Sequence, residues 1–213
     1  MQEHPILFTA PMVRAILDGA KTQTRRALKV QPIDVLPMKE DKVGIEWVGL
    51  MQREPRPKGT VFRCKLGQAG DRLWVRETWR TDESLNGKAP SAFSAWPVRY
   101  EADGEVLRHG AFYGNTNGKT RVSIHMPRWA SRILLEIAGV RVERLQDISE
   151  ADAIAEGIEK TAAGLWCLYG QAEVDGTFSP IASYRALWNS INGAGAWDAN
   201  PWVWAVEFKR VMP

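Results

Sequence analysis

Lys21, Thr24 and Arg26 stand within six residues of one another in the run Ala15-Ile16-Leu17-Asp18-Gly19-Ala20-Lys21-Thr22-Gln23-Thr24-Arg25-Arg26. Their types suit acyl chemistry. A desolvated lysine can lose its proton and serve as a base, a threonine hydroxyl can attack a carbonyl, and an arginine keeps its charge and can hold an anion or a polarised oxygen. Spacing alone does not make them a site. On a straight strand Lys21 and Thr24 face opposite ways, so they meet only where the chain turns at Lys21 or Thr22. Cations after a helix otherwise complement its C-terminal dipole, and threonines otherwise mark strands.

The elements that must position these residues are short. Pro11 opens a helix from about Met12 to Asp18, Val13, Ile16 and Leu17 give it one apolar edge, and Gly19 ends it in the left-handed region. Further on, Ser149 is an N-cap with Asp152 three residues later, and Gly157 stops the helix they begin. Glu156 falls in its last turn, where the helix dipole disfavours a carboxylate by about 0.3–1 kcal/mol unless a cation or water offsets it. The run Gly70-Asp71-Arg72-Leu73-Trp74-Val75-Arg76-Glu77-Thr78-Trp79 reads as a turn feeding a strand, with Leu73, Val75 and Glu77 on one face. A carboxylate beside core residues must meet a partner or water, so Glu77 is either a pocket residue or one half of an ion pair with an arginine.

Composition is ordinary for a globular chain at 45% hydrophobic and 25% charged, and 213 residues can bury a sizeable core. Ten tryptophans are many, and they are read as structural apart from one or two that could face a flat ligand. A net charge of +3 permits a nucleotide or nucleic-acid partner without demanding one. Cys64 and Cys167 are far apart, with no zinc-like spacing and no disulfide framework. No run has the length and apolarity of a leader or a membrane span, so the reading is a cytoplasmic protein with no membrane partner.

Along the chain, Pro5 to Phe8 reads as a strand. Residues 27–59 form a proline-marked excursion with one strand at Gly44 to Leu50, and Thr60 to Cys64 alternate as another. Residues 80–120 read as a loop-rich insertion with a hairpin of Val98–Tyr100 against Glu105–Leu107. Gly114 to Thr120 imitates a phosphate loop, but only three residues separate its glycines, and it reads as a turn. Ile133–Ile137 and Val140–Leu145 read as two strands broken at Ala138-Gly139. His125 carries an imidazole, a side chain able to serve as a base, but stands alone. Ser179-Pro180 opens a helix whose Ile181, Tyr184, Leu187, Trp188 and Ile191 make an apolar stripe read as core, and Trp202 to Val211 is the closing strand.

Ile16-Leu17-x-Gly19-x-Lys21-Thr22-x-Thr24-x-Arg26 resembles the opening signature of the ASCH family. Gly70-Asp71-x-Leu73-x-Val75, the passage from Leu145 to Gly157, and Val206-Glu207-Phe208 resemble its later segments. The resemblance implies an α+β fold, a PUA-like mixed β-barrel with a few short peripheral helices. It implies one domain over 1–213, with insertions at about 80–120 and 158–180 that the compact members lack. Trp74 to Trp79 and Met126 to Ser131 are similar instead to larger bacterial and phage members. The family includes amidohydrolases that remove the acetyl group of N4-acetylcytidine without a metal or other cofactor. Carried over residue by residue, the resemblance implies Lys21 as base, Thr24 as nucleophile and Glu156 as the acid that orients the lysine, with Glu150 and Glu159 as alternatives if the helix register is shifted. Arg26 would hold the substrate oxygen. Glu77 and Trp79 are added as substrate-binding candidates, the tryptophan by stacking on the base. The expected partner is a small-molecule nucleoside. The alternatives are an RNA-binding module using Arg14, Arg25, Arg26, Lys29, Arg128 and Arg132, or a ribonuclease using His125.

Overall fold

The computed structural model describes residues 1–41, 44–51, 58–108, 114–169 and 176–212, the side chains of 37–41, 44–46 and 58 excepted. In chain order the main elements are β1 (Glu3–Leu7), α1 (Ala10–Leu17), β2 (Gln23–Ala27), β3 (Asp34–Asp41), β4 (Gly44–Met51), β5 (Lys58–Phe62), β6 (Arg72–Arg76), β7 (Trp79–Arg80), β8 (Val98–Tyr100), β9 (Val106–Leu107), β10 (Leu134–Arg144), α2 (Glu150–Ala155), β11 (Trp166–Cys167), β12 (Gly176–Thr177), α3 (Pro180–Asn192) and β13 (Trp202–Val211). The chain is α+β and mostly strands. It divides into two compact units, the first from Met1–Gly19, Gly70–Glu136 and Lys209–Pro213, the second from Ala20–Ala69 and Ile137–Phe208. No helix among the described residues is long and apolar enough to cross a membrane.

In the first unit β1 lies parallel to β6, from Glu3 opposite Arg72 to Leu7 opposite Arg76, and the first residues of β10 run antiparallel on the other side of β6. Leu73, Val75, Leu134 and Leu135 are buried there, as the alternation of these strands requires. The hairpin read at 98–107 is present as β8 and β9. Gly104, at φ +78°, makes its turn and donates its N–H to Tyr100 O. Trp79, Val98, Tyr100, Met126 and Ala130 form an apolar cluster against these short strands.

The segment that imitates a phosphate loop commits four of its backbone donors within the fold. Asn115 N–H goes to Asp82, Asn117 N–H to the Asn115 side chain, Gly118 N–H to Thr81 O and Lys119 N–H to Asn86. A cradle needs those N–H groups pointing at the ligand, so this is a turn tied down from within. A β-carbon on Gly118 would lie 2.4 Å from the Thr81 carbonyl oxygen. Gly118→Ala is therefore expected to lower stability by about 1–3 kcal/mol, read by chemical denaturation, with the loop displaced.

In the second unit the rest of β10, then β13, then β2 are neighbours, and β13 pairs antiparallel with β2 from Val203 opposite Ala27 to Glu207 opposite Gln23. A separate sheet runs β3-β4-β5. Pro37, which has no N–H to give, sits in β3 at an edge of that sheet. Leu145, Ile148, Ala153, Ile158, Tyr184, Trp188, Trp197 and Val203 pack into the core beneath α2 and α3.

Two sequence readings are corrected. Every sheet among the described residues has a first and a last strand, so no barrel closes. Alternation specifies strands and their inner faces, whereas closure depends on tilt and stagger between distant strands. The two strands expected around Ala138-Gly139 are a single strand, β10, of 11 residues. Gly139 takes no left-handed turn there, and a β-carbon on it would be 3.6 Å from Glu207 Oε2, so the glycine lets a neighbouring side chain approach.

Candidate functional site

The site is built on the second unit by the end of α2 and the start of β2. Ser149 Oγ accepts the Asp152 N–H at 3.1 Å, fixing where α2 begins. Gly157, at φ +77°, follows the C-cap residue Glu156. The backbone of Thr22 then donates to Ala155 O at 2.9 Å, and Lys21 and Glu156 pair through their backbones as well. Lys21 is thus held against a helix C-terminus, where carbonyls lack partners and the dipole favours a cation. Its Nζ donates to Glu156 O at 2.7 Å and to Glu156 Oε2 at 2.9 Å.

Lys21 is 2% exposed and Glu156 3%. Burial pulls the Lys21 amine below the ordinary lysine range. The Glu156 carboxylate opposes that shift, and the charges of Arg26 and Arg25 add to it. This amine therefore loses its proton more readily than a surface lysine does.

Behind the pair lies an ionic lattice. The Arg25 side chain is wholly buried, and its guanidinium donates to Glu143 Oε1, to Asp152 Oδ2 at 3.2 Å and to Glu156 Oε1 at 3.2 Å. Arg141 binds the same Glu143 and Asp152, at 2.7 and 2.8 Å, and pairs with Glu207. Gln23 accepts from Arg25 and donates to Asp152 at 3.2 Å.

Gln23 and Arg25 share one face of β2, and strand alternation gives the other face to Thr24 and Arg26. Thr24 is buried opposite Val206. Arg26 is partly buried, and burial lowers its pKa while Glu156 and Tyr184 raise it. Lys21 stands at the strand's entrance, where the charges of Arg25 and of Arg26 both reach it. Tyr184 of α3 packs its ring against Trp188 and Trp197, at centroid distances of 6.2 Å. Its hydroxyl is pushed well above the usual tyrosine range by burial and by Glu156, with Arg25 and Arg26 opposing. The apolar stripe of α3 thus carries one polar tip toward the charged group.

Sequence reasoning brought Lys21 and Glu156 together, and they meet. It missed Arg25, Glu143, Asp152 and the Tyr184 hydroxyl. Arg25 and Arg26 look alike as neighbours in sequence, and only the covering of one β2 face by α2 and β10 separates a wholly buried guanidinium from a partly buried one.

Glu77 and Trp79 belong to the first unit. Glu77, 2% exposed, accepts from Arg132 Nε at 2.9 Å and Nη2 at 3.0 Å, a bidentate pair. Arg132 also holds Asp103 and Glu105 and lies over the Tyr100 ring at 4.0 Å. Trp79 is fully buried, met edge-on by Trp129 at 6.2 Å, with the Arg121 guanidinium 5.5 Å from its centroid. His125 ends a short 3-10 turn on the surface. Of the six basic residues suggested for RNA, Arg25 and Arg132 are buried in ion pairs, and Arg128 is paired with Glu3 at 2.7 Å. Among the described residues no group of three or more His, Cys, Asp or Glu is placed to hold a metal ion. Comparison with protein-family models, with curated proteins and with solved structures finds no match to this chain.

Proposed function

We propose that this chain is an amidohydrolase of ASCH type, with a PUA-like fold, that removes the acyl group from N4-acylated cytosine nucleosides, releasing cytidine and a carboxylate. The observation that carries the reading is the buried pair of Lys21 Nζ and Glu156 Oε2, 2.9 Å apart. A lysine in that setting gives up its proton more readily than an exposed one, which favours a base, and the family signature puts a hydroxyl three residues further on.

In the reaction, Thr24 Oγ bonds to the amide carbonyl carbon while Lys21 takes the hydroxyl proton. Arg26 holds the carbonyl oxygen as it gains charge. The carbon–nitrogen bond then breaks, and the proton passes from Lys21, oriented by Glu156, to the departing exocyclic nitrogen. Water cleaves the acyl-threonine ester, giving the carboxylate and restoring the hydroxyl. The departing amine is conjugated with the pyrimidine ring and leaves more easily than an aliphatic amine.

The test is incubation with N4-acetylcytidine and chromatography of the products. Cytidine should accumulate with the wild-type chain, and Thr24→Ala should slow its release by about 100-fold or more. Near-normal turnover in Thr24→Ala would remove the nucleophile, and no release by the wild type would remove the substrate. A short RNA carried through the same incubation should come out uncut.

A further inference from the structure

We propose that Arg25 is a positioning residue for the Lys21–Glu156 pair: it grips one carboxylate oxygen so that the other faces the amine. This rests on Lys21 acting as the base, but its test does not depend on turnover.

The geometry gives Glu156 two cations, one on each oxygen. Arg25 Nη1 is 3.2 Å from Oε1 and Lys21 Nζ is 2.9 Å from Oε2. A carboxylate with only a lysine for company in a buried site would hold the ammonium form in place. One already neutralised by a guanidinium, which cannot lose its proton, needs the second cation less. Arg25 is itself held by ion pairs. Its Nη2 is 2.6 Å from Glu143 Oε1 and 3.2 Å from Asp152 Oδ2, and Arg141 braces both carboxylates, through Glu143 Oε2 and the same Asp152 Oδ2. The planar fork lets one side chain reach carboxylates on β10 and on α2 at once in a fixed geometry, which a lysine's point charge does not impose.

The charged and titratable groups around the pair come from every element packed on it. They are Lys21, Arg25 and Arg26 at β2, Arg141 and Glu143 on β10, Asp152 and Glu156 at α2, Glu207 on β13 and the Tyr184 hydroxyl from α3. The charges of Arg25 and Arg26 both act on the amine. Of the two, Arg25 is the one bound to Glu156.

The experiment follows the Lys21 side chain by carbon and nitrogen NMR of lysine-labelled protein across a pH series, with Lys21→Arg identifying its signal. Arg25→Gln should move the Lys21 midpoint up. Arg25→Lys, which keeps the charge but loses the fork, should leave the midpoint nearer the wild-type value. Should Arg25→Gln fail to fold for want of a partner to Glu143, the double variant Arg25→Gln/Glu143→Gln keeps the balance, and its midpoint should rise in the same direction. An unchanged or lowered midpoint in the folded variants overturns the proposal. Where acylcytidine is hydrolysed, the pH profile of kcat/KM should shift with the midpoint while KM stays constant. A raised midpoint in a chain that hydrolyses nothing would sink the proposed function and leave the role of Arg25 standing.

Discussion

Lys21→Met is expected to abolish cytidine release, with kcat/KM falling by about 10²–10⁴, the range a positioned base contributes. Lys21→Arg should fail as badly. Arginine keeps a positive charge beside Glu156 and can still donate to its oxygens, but it cannot be deprotonated. If Lys21 only supplied charge, Lys21→Arg would retain activity, so that variant separates a base from an electrostatic prop. The wild-type profile carries a second signature. Burial lowers the Lys21 pKa, so kcat/KM should climb with pH through that lowered value and level off below the ordinary lysine range. Stability obeys the same linkage. The folded state lets the Lys21 proton go at a lower pH than the unfolded chain does, so between those two pKa values the unfolded state binds more protons and stability rises with pH. That rise, measured by denaturant titration at a series of alkaline pH values, should be missing from Lys21→Met. Its presence in the variant would assign the slope to another group.

The local grammar of the chain was legible. Pro11 and Gly19 bound α1, Ser149 and Gly157 bound α2, and Ser179-Pro180 and Gly193 bound α3, because caps act on the backbone beside them. The position of Glu156 at a helix end was also readable, and with it the choice between a cation and water as its company. What stayed hidden was set by distant pairing. Nothing local distinguishes Arg25, covered by carboxylates from two other elements, from Arg26 next to it. β3 runs through Pro37 because it is an edge strand, a fact about its neighbours and not about its own residues. Tyr184 reads as core because its ring is core, and only the direction of the hydroxyl, fixed by packing against Trp188 and Trp197, brings it to the charged group. Glu77 was read either as a pocket residue or as an ion pair. The structure supplies the partner, Arg132, from 55 residues further along.

That pair carries the largest effect expected on stability. Arg132→Met should cost about 3–5 kcal/mol, because it strands a buried carboxylate and leaves Asp103 and Glu105 repelling it. For a domain of 150–250 residues each kcal/mol is worth about 2–4 °C, so the melting temperature should drop by about 10 °C. The loss should depend on pH in a direction that follows from Glu77. Burial raises its pKa, Arg132 pulls it back, and Asp103 and Glu105 raise it further. A carboxyl whose folded pKa exceeds the unfolded one binds its proton more tightly when folded, so stability falls as pH rises from the ordinary glutamate value through the raised one. Removing Arg132 takes away the opposing influence, widens that window upward and makes the fall deeper. The deficit of Arg132→Met relative to wild type should therefore be smaller near pH 5 than near pH 8, by denaturation at both. Arg132→Met/Glu77→Gln should recover most of it at the higher pH, since the amide carries no charge to strand. An equal deficit at both pH values, unrelieved by the second substitution, would mean that Arg132 stabilises by covering the Tyr100 ring and not by neutralising Glu77.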